Sequence, residues 1–562
     1  MFLVRVFAGN HERASRAQSV TLYGDMAKRK SSRPPYSKTP PRRAFPQWLP
    51  AAALAALAMA VYANSLANGF VGDDQFQLLR NPLVRDIGGI PRIFGSGVWS
   101  FLGVTGNYYR PLQFLVYLLI YQCAGFHAAA FHLFMVLLHA GNTVLLFFFV
   151  RRWAPGRIAW VAAALFAVHP VHTEPVDWIA ALPDLMLTAF VLTGLLLFAR
   201  QDGAPRGLRI PGHCGLYLLA LWTKETGVTM LPLYAAFGFF CLGRRYSEFR
   251  RNAALYAAMI AVFGLYLAMR IRALGSLAPR QHAFFHLGPG DFALSAVVAA
   301  AQYLRTLLLP LGLNYFHVFH PTEAVTPRFL ISAAALAAVA ALFLRSRTAL
   351  VSFGIFWMAA AIAPALNLTG VGQNVFTERY LYLPSAGFCC VAAWAWAWCA
   401  ERKPDWANPA GAAVLLVCAV AVVARNRDWH DNFTMLQATV RQSPDSGWLH
   451  DALAGELVQR DAFDEAIAHQ RLAVRYDPGM ALYHKKLGYM LMGKDNRGAI
   501  AEFQQVDALE PGVAANHYDL AAAFESAGDA KDAAEEYRKA LDLQPQFPAA
   551  KQGYERVEGR AR

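Results

Sequence analysis

The sequence predicts an all-α protein in two parts, a membrane helix bundle of about eleven spans followed by a stack of helix–turn–helix repeats. Three observations predict it. Up to about Ala424 the chain alternates long apolar runs with short basic patches. Beyond Arg425 it reads as ordinary charged sequence. From there prolines recur at a near-constant interval: Pro444, Pro478, Pro511 and Pro545 stand 34, 33 and 34 residues apart.

Composition agrees. The 562 residues are 56% hydrophobic and 16% charged, where a soluble globular protein carries about 25% charge. The expected division is a disordered, basic cytosolic segment (1–46), a multi-span membrane domain (47–425), a linker helix (426–445) and three repeats with a capping helix (446–562). No small-residue cleavage site follows the first apolar run, so it reads as an uncleaved anchor rather than a signal peptide.

Spans are expected at Trp48–Leu66, Phe131–Val150, Ile158–Val168, Ala181–Phe198, Cys214–Trp222, Val228–Leu242 and Ala253–Met269. Four more follow at Phe329–Leu344, Leu350–Leu366, Leu381–Cys399 and Asn408–Val423. Phe292–Leu311 is read as re-entrant or lying at the outer surface, because only then does every short basic loop stay inside. The N-terminus is then cytosolic and the repeats periplasmic or lumenal, in a bacterial inner membrane or an endoplasmic reticulum. This topology explains much of the net charge of +14. No motif, aromatic platform or basic helix face supports nucleic-acid binding. The seven cysteines lie in or beside apolar runs, without the spacing of a disulfide framework or metal site.

In the tail, "DEAIAHQRLAVRYDP", "RGAIAEFQQVDALEP" and "KDAAEEYRKALDLQP" align directly. Ala466, Ala499 and Ala533 each precede a proline by 12 residues. Small residues let paired helices approach, and proline ends the second helix. These are three tetratricopeptide repeats, and such arrays offer concave peptide-binding surfaces.

The same topology places several polar stretches on the outer side: Asp73-Asp74, "HPVHTEPVDW" (His169–Trp178), "KET" (Lys224–Thr226) and "TERYLY" (Thr377–Tyr382). Ionisable groups at membrane depth are costly and mark functional cavities. An outward-facing polar site is therefore expected at the membrane boundary.

These stretches resemble the transmembrane and tetratricopeptide-repeat O-mannosyltransferase family and, more distantly, the protein O-mannosyltransferases of the type C glycosyltransferase fold. The likeness is carried in order by "NGFVGDDQFQLLRNPLVRDIGGIPRIF", "YYRPLQFLVYLLIY", "LFAVHPVHTEPVDWIAALPDLM", "WTKETGVTMLPL", "ERYLYLPSAGFC" and "RNRDWHDNFTMLQATVRQSPDS", with the repeats last. Two positions depart from the family pattern. Asp184 stands in "ALPD" without the usual arginine, and Gly72 precedes the acid pair where a larger or acidic residue is common.

The resemblance implies an inverting hexosyltransferase moving a mannose-like sugar from a polyprenyl-phosphate donor to a protein hydroxyl. The repeats would dock the acceptor protein. The lipid-linked sugar is a co-substrate, and no cofactor or metal is implied. Such chemistry needs a base for the hydroxyl proton and cations for the departing phosphate. Asp73 and Asp74 are the catalytic candidates. Adjacent residues on an extended chain face opposite ways, so one of the two would meet substrate, and the sequence does not say which. Arg110, Lys224 and Arg379 are the phosphate candidates; His169, His172, Glu174, Glu225 and Glu378 are the substrate-binding candidates. H-P-V-H-T-E has ligand-type residues, but Pro170 and Pro175 break the helical spacing a metal would need. Asp177 and Trp178 suit a sugar ring or interfacial anchoring, and His317 and His320 read as interfacial. The alternative to an enzyme is a non-catalytic membrane-anchored scaffold that assembles clients through its repeats.

Overall fold

The computed structural model describes residues 48–104, 106–200, 206–243, 249–277, 287–368 and 375–561. The expected disordered segment 1–46 lies outside them. The principal helices are α1 (Leu49–Val61), α2 (Pro111–Ala124), α3 (Ala128–Arg151), α4 (Gly156–Val168), α5 (Leu182–Ala199), α6 (Arg206–Thr223), α7 (Met230–Phe240), α8 (Ala253–Leu274), α9 (Pro289–Leu308), α10 (Pro327–Arg345), α11 (Ala349–Ile362), α12 (Tyr382–Arg402) and α13 (Pro404–Arg425). The tail continues with α14 (Asn432–Gln442), α15 (Gly447–Val458), α16 (Phe463–Tyr476), α17 (Ala481–Leu491), α18 (Asn496–Leu509), α19 (Ala514–Ala527), α20 (Ala530–Leu543) and α21 (Pro548–Ala561).

Seven helices among the described residues are long and apolar enough to cross a membrane: Ala128–Arg151, Ile179–Ala199, Ala253–Leu274, Pro327–Arg345, Ala349–Leu366, Glu378–Arg402 and Pro404–Trp429. Leu49–Val61, Pro111–Ala124 and Gly156–Val168 are shorter apolar helices. The chain is thus a multi-pass membrane protein, with a helix inventory that differs from the sequence reading. Spans were expected on α1, α4, α6 and α7, and none of the four is among the seven; α1 and α4 have 13 residues each. α6 carries Arg209, Pro211 and His213, and α7 has only 11 residues. α2 is an apolar helix for which no span was expected. α9 lies where the sequence sets a surface or re-entrant segment, and it too is absent from the seven.

Helix starts follow local chemistry. Proline occupies the first turn of α2, α9, α10 and α13, where its missing N–H costs nothing. α5 is the central helix, fully buried from Leu182 to Thr188, while α10 buries only Ser332. α11 and α12 touch backbone to backbone: a Cβ on Gly354 would stand 2.8 Å from the Gly387 carbonyl. Small residues at such crossings are the usual device of membrane helices.

In the tail, α15–α16, α17–α18 and α19–α20 pack as consecutive pairs and α21 closes the series, as the repeat period requires. α14 ties the tail to the segment before α10. Asn314 Nδ2 donates to Ser443 Oγ (2.9 Å), Gln442 Nε2 to the Leu313 carbonyl (2.8 Å), and Phe316 packs on Trp448.

Candidate active site

Every polar stretch singled out by sequence lies at one end of the bundle, where α1, α4, α6, α8 and α13 finish and α2, α5, α7 and α12 begin. The acid pair sits in a turn after α1. Gly72 takes a left-handed φ of +54°, and a Cβ there would stand 3.2 Å from the Tyr315 hydroxyl. That is the physical reason for glycine at this departure from the family pattern.

The two carboxylates are not equivalent. Asp74 is fully buried; its Oδ2 accepts from Val71 N (3.1 Å) and its Oδ1 from Ala180 N (2.6 Å). It fastens the turn to the residues after Trp178, whose indole N–H donates to the Val71 carbonyl (3.2 Å). Asp73 is partly exposed. Among the described residues no hydrogen bond or ion pair engages its carboxylate. Burial raises the Asp73 carboxyl above its usual range, against the fields of Arg379 and Arg110. Burial raises Asp74 further, opposed by its backbone donors. The extended geometry expected for the pair is not found. Asp74 is helical (φ −58°, ψ −38°) and opens a helical turn over Gln75–Leu79, so tertiary contacts, not strand alternation, separate the two side chains.

Beside this turn is a cavity of about 230 Å³ lined by Arg110, Asp184, Lys224, Glu225, Arg270 and Tyr380, among others. Arg110 grips Glu225 Oε2 through Nε (3.1 Å) and Nη2 (3.0 Å), and its guanidinium lies 4.4 Å from the Tyr108 ring centre. Glu225 Oε1 accepts from Tyr109 N (3.0 Å) and faces Arg270 Nη1 (3.5 Å). Lys224 Nζ meets Asp184 Oδ1 at 2.6 Å and stands over Tyr380. Arg379 stands over Trp178 and shares the Tyr380 ring with Lys224. Three cations therefore line the cavity against two carboxylates. Burial lowers the Lys224 ammonium, with Asp184 opposing. Burial works to raise Glu225, but Arg110, Arg270 and the Tyr109 N–H hold it below the usual carboxylate range.

The remaining sequence candidates brace this end. Glu174 Oε1 accepts from Arg379 Nη1 (2.6 Å) and Oε2 from Arg379 N (2.9 Å). Glu378 is paired with Arg425 (2.8 Å) and His317 (3.1 Å). His169 and His172 are buried away from the cavity. His169 bonds the Leu307 carbonyl (3.0 Å), and His172 bonds Phe166 O (2.8 Å) and Ser385 Oγ (2.7 Å). Burial pushes the His169 imidazole down to about 4 and lowers His172 as well. His169, His172 and Glu174 thus point to three different partners. Among the described residues no group of three His, Cys, Asp or Glu converges as a metal site. His320 faces Asp445 at 3.6 Å. Asp177 is fully buried beside Ser65.

Arg270 was not reached by sequence reasoning. It lies one residue past the expected end of its span, and its Nη2 also bonds Asn107 Oδ1 (2.7 Å). A basic residue at the outer end of a span opposes the positive-inside bias, and that was the available signal.

No protein-family model matches the chain. The Mus musculus protein O-mannosyl-transferase TMTC3 is 24% identical over 561 aligned residues, covering 87% of this chain and 60% of the mouse protein. The Homo sapiens protein O-mannosyl-transferase TMTC1 is 26% identical over 80% of this chain and 58% of its own length. The Drosophila melanogaster Tmtc1 is 26% identical over 78% and 62%. The chain is a distant homologue of the TMTC protein O-mannosyl-transferases. It spans about 60% of the length of the curated relatives it matches.

Proposed function

We propose that the chain is a membrane glycosyltransferase that moves a mannose-like hexose from a polyprenyl phosphate to a protein hydroxyl on the outer side of the membrane, with the repeats docking the acceptor. One observation carries this reading: an unengaged carboxylate, Asp73, lies in the fields of Arg379 and of Arg110, which lines a cavity with more cations than carboxylates. Asp73 takes the proton of the acceptor hydroxyl. The hydroxyl oxygen attacks the anomeric carbon, and the bond from that carbon to the phosphate oxygen breaks. The electron pair leaves with the lipid phosphate, which Arg110, Lys224 and Arg270 receive, with Arg379 alongside. A single displacement inverts the anomeric configuration. Asp74 holds the turn that presents Asp73. Glu225, Glu174 and Glu378 act as counter-ions that position arginines.

The scaffold reading draws on a different observation: Arg110, Lys224 and Arg379 each already have a carboxylate partner, as structural cations do. A transferase assay in membranes with labelled polyprenyl-phosphate mannose separates the two. Asp73→Asn should lower turnover by about 10²–10⁴-fold, the usual worth of a general base, with expression and donor binding kept. Asp74→Asn should act on folding, since an amide cannot accept from both backbone donors with both of its heavy atoms. Near wild-type transfer by Asp73→Asn would sink the catalytic assignment.

A further inference from the structure

At the opposite end of the bundle, α4, α12 and α13 enclose an apolar groove of about 720 Å³. α12 begins at the candidate active site and ends here, and its 21 residues span about 32 Å at 1.5 Å per residue. Val161, Leu165, Trp396, Trp406, Val414 and Leu415 supply much of the lining. The inner wall is fixed: Trp396 Nε1 donates to the Ala407 carbonyl (3.1 Å). The indole lies so close to α13 that a Cβ on Gly411 would be 2.8 Å from its nitrogen.

Arg402 and Lys403 stand at the groove on the turn into α13. The Arg402 guanidinium lies 3.9 Å from the Trp398 ring centre, and its Nη1 donates to the Trp398 carbonyl (3.0 Å). Among the described residues no carboxylate pairs with Arg402 or Lys403. Glu401 is taken by Arg157. Asp405 sits exposed in the first turn of α13, where the helix dipole suits it. α13 buries only Val422 along its 22 residues, yet its far end carries Arg425 to Glu378.

We propose that this groove is a binding site for an anionic phospholipid, its acyl chain against the tryptophans and its phosphate on Arg402 and Lys403. The lining has little to offer a polar ligand. The unpaired cations beside it select a negative headgroup, as basic pockets between membrane helices do. A chain seated there clamps α13, which is otherwise thinly packed, onto α4 and α12. The proposal does not depend on the transferase reading.

Native mass spectrometry of the full-length protein in detergent tests it, with phosphatidylglycerol and phosphatidylcholine of matched chains. Wild type should retain phosphatidylglycerol preferentially, by about fivefold per contributing cation. R402Q/K403Q should bind both lipids alike. A410W, which fills the groove and leaves the charges in place, should lower retention of both. Equal retention of the two lipids by wild type, or a preference that survives R402Q/K403Q, overturns the headgroup assignment. Unchanged retention by A410W overturns the groove as the seat of the chain, including the case where the apparent site is a second copy's helix.

Discussion

Lys224 meets Asp184 at 2.6 Å with their side chains 5% and 9% exposed; Arg556 meets Glu525 at 2.6 Å with its side chain 51% exposed. The closest distance is the same, although Arg556 holds Glu525 by two bonds and Lys224 holds Asp184 by one; the surroundings are not. At the polar end of the bundle the pairs join segments far apart in sequence, and Lys224–Asp184 is largely closed off from water. In the tail, pairs such as Arg556–Glu525 join nearby helices and others, such as Lys539–Glu535, lie within one helix, at the surface. The comparison separates charge used to line a cavity from charge used to keep a surface soluble, and it sets how much each pair is worth. Water and salt screen the second kind. The first stands or falls with its partner.

The largest expected effect therefore belongs to the buried pair. Lys224→Met leaves Asp184 uncompensated and should cost about 3–5 kcal/mol of stability, read as a fall in thermal midpoint of the purified protein. Lys224→Met/Asp184→Leu should recover most of that loss, because a well-packed apolar pair replaces a buried ionic one at little net cost. The double variant should still bind polyprenyl-phosphate mannose weakly. If donor binding returns together with stability, Lys224 holds the fold and not the phosphate, and the contrast drawn with the tail loses its functional half.

The same contrast governs what sequence could tell. The repeats were legible because each helix pair repeats its neighbour's contacts, so Ala466, Ala499 and Ala533 announce themselves by period. The polar end has no period. Sequence could mark Asp73, Lys224, Glu225 and Arg379 as charges set in apolar surroundings, but it could not pair them. Lys224 turned to Asp184 across 40 residues and Arg110 to Glu225 across 115. Nor could it choose between Asp73 and Asp74. That choice rests on the backbone N–H of Ala180, brought to Asp74 by the packing of Trp178 against Val71. The span reading and the helices differ where helices are short or carry polar residues, as at α1, α4, α6 and α7, since a hydropathy run does not report where a helix starts and stops.

A far smaller effect is expected in the tail. Arg556→Gln should cost about 0–1 kcal/mol, and the loss should shrink further in high salt. A cost as large as that of Lys224→Met would mean that the tail depends on its surface pairs, and the distinction between the two regions would fail.

The smallest effect at neutral pH concerns a difference among the repeats themselves. His450, His484 and His517 each stand six residues after a repeat proline. Nδ1 of His484 faces Glu502 at 2.6 Å and that of His517 faces Glu536 at 2.8 Å, with Asp507 3.4 Å from His517 Nε2. Nδ1 of His450 faces another imidazole instead, Nδ1 of His469, at 2.8 Å. His450 Nε2 lies 2.9 Å from the Pro444 carbonyl and so carries the proton. Its Nδ1 then accepts, and His469 donates. Tyr476 stacks on His450, and Glu465 is the acid near His469. Burial and His450 lower the His469 imidazole, Glu465 opposing. A histidine with a depressed folded-state pKa leaves stability untouched well above its unfolded value of about 6.5. As pH falls below that value, the unfolded chain takes up protons that the folded chain refuses, and stability is lost. Hydrogen exchange on the full-length protein, corrected for intrinsic rates, should show α15–α16 losing protection below about pH 6.5 while α17–α18, braced by His484 and Glu502, does not. His469→Glu gives the first repeat the pairing of the other two and should abolish the difference. If α15–α16 and α17–α18 lose protection in parallel on acidification, the imidazole pair is not what sets the first repeat apart.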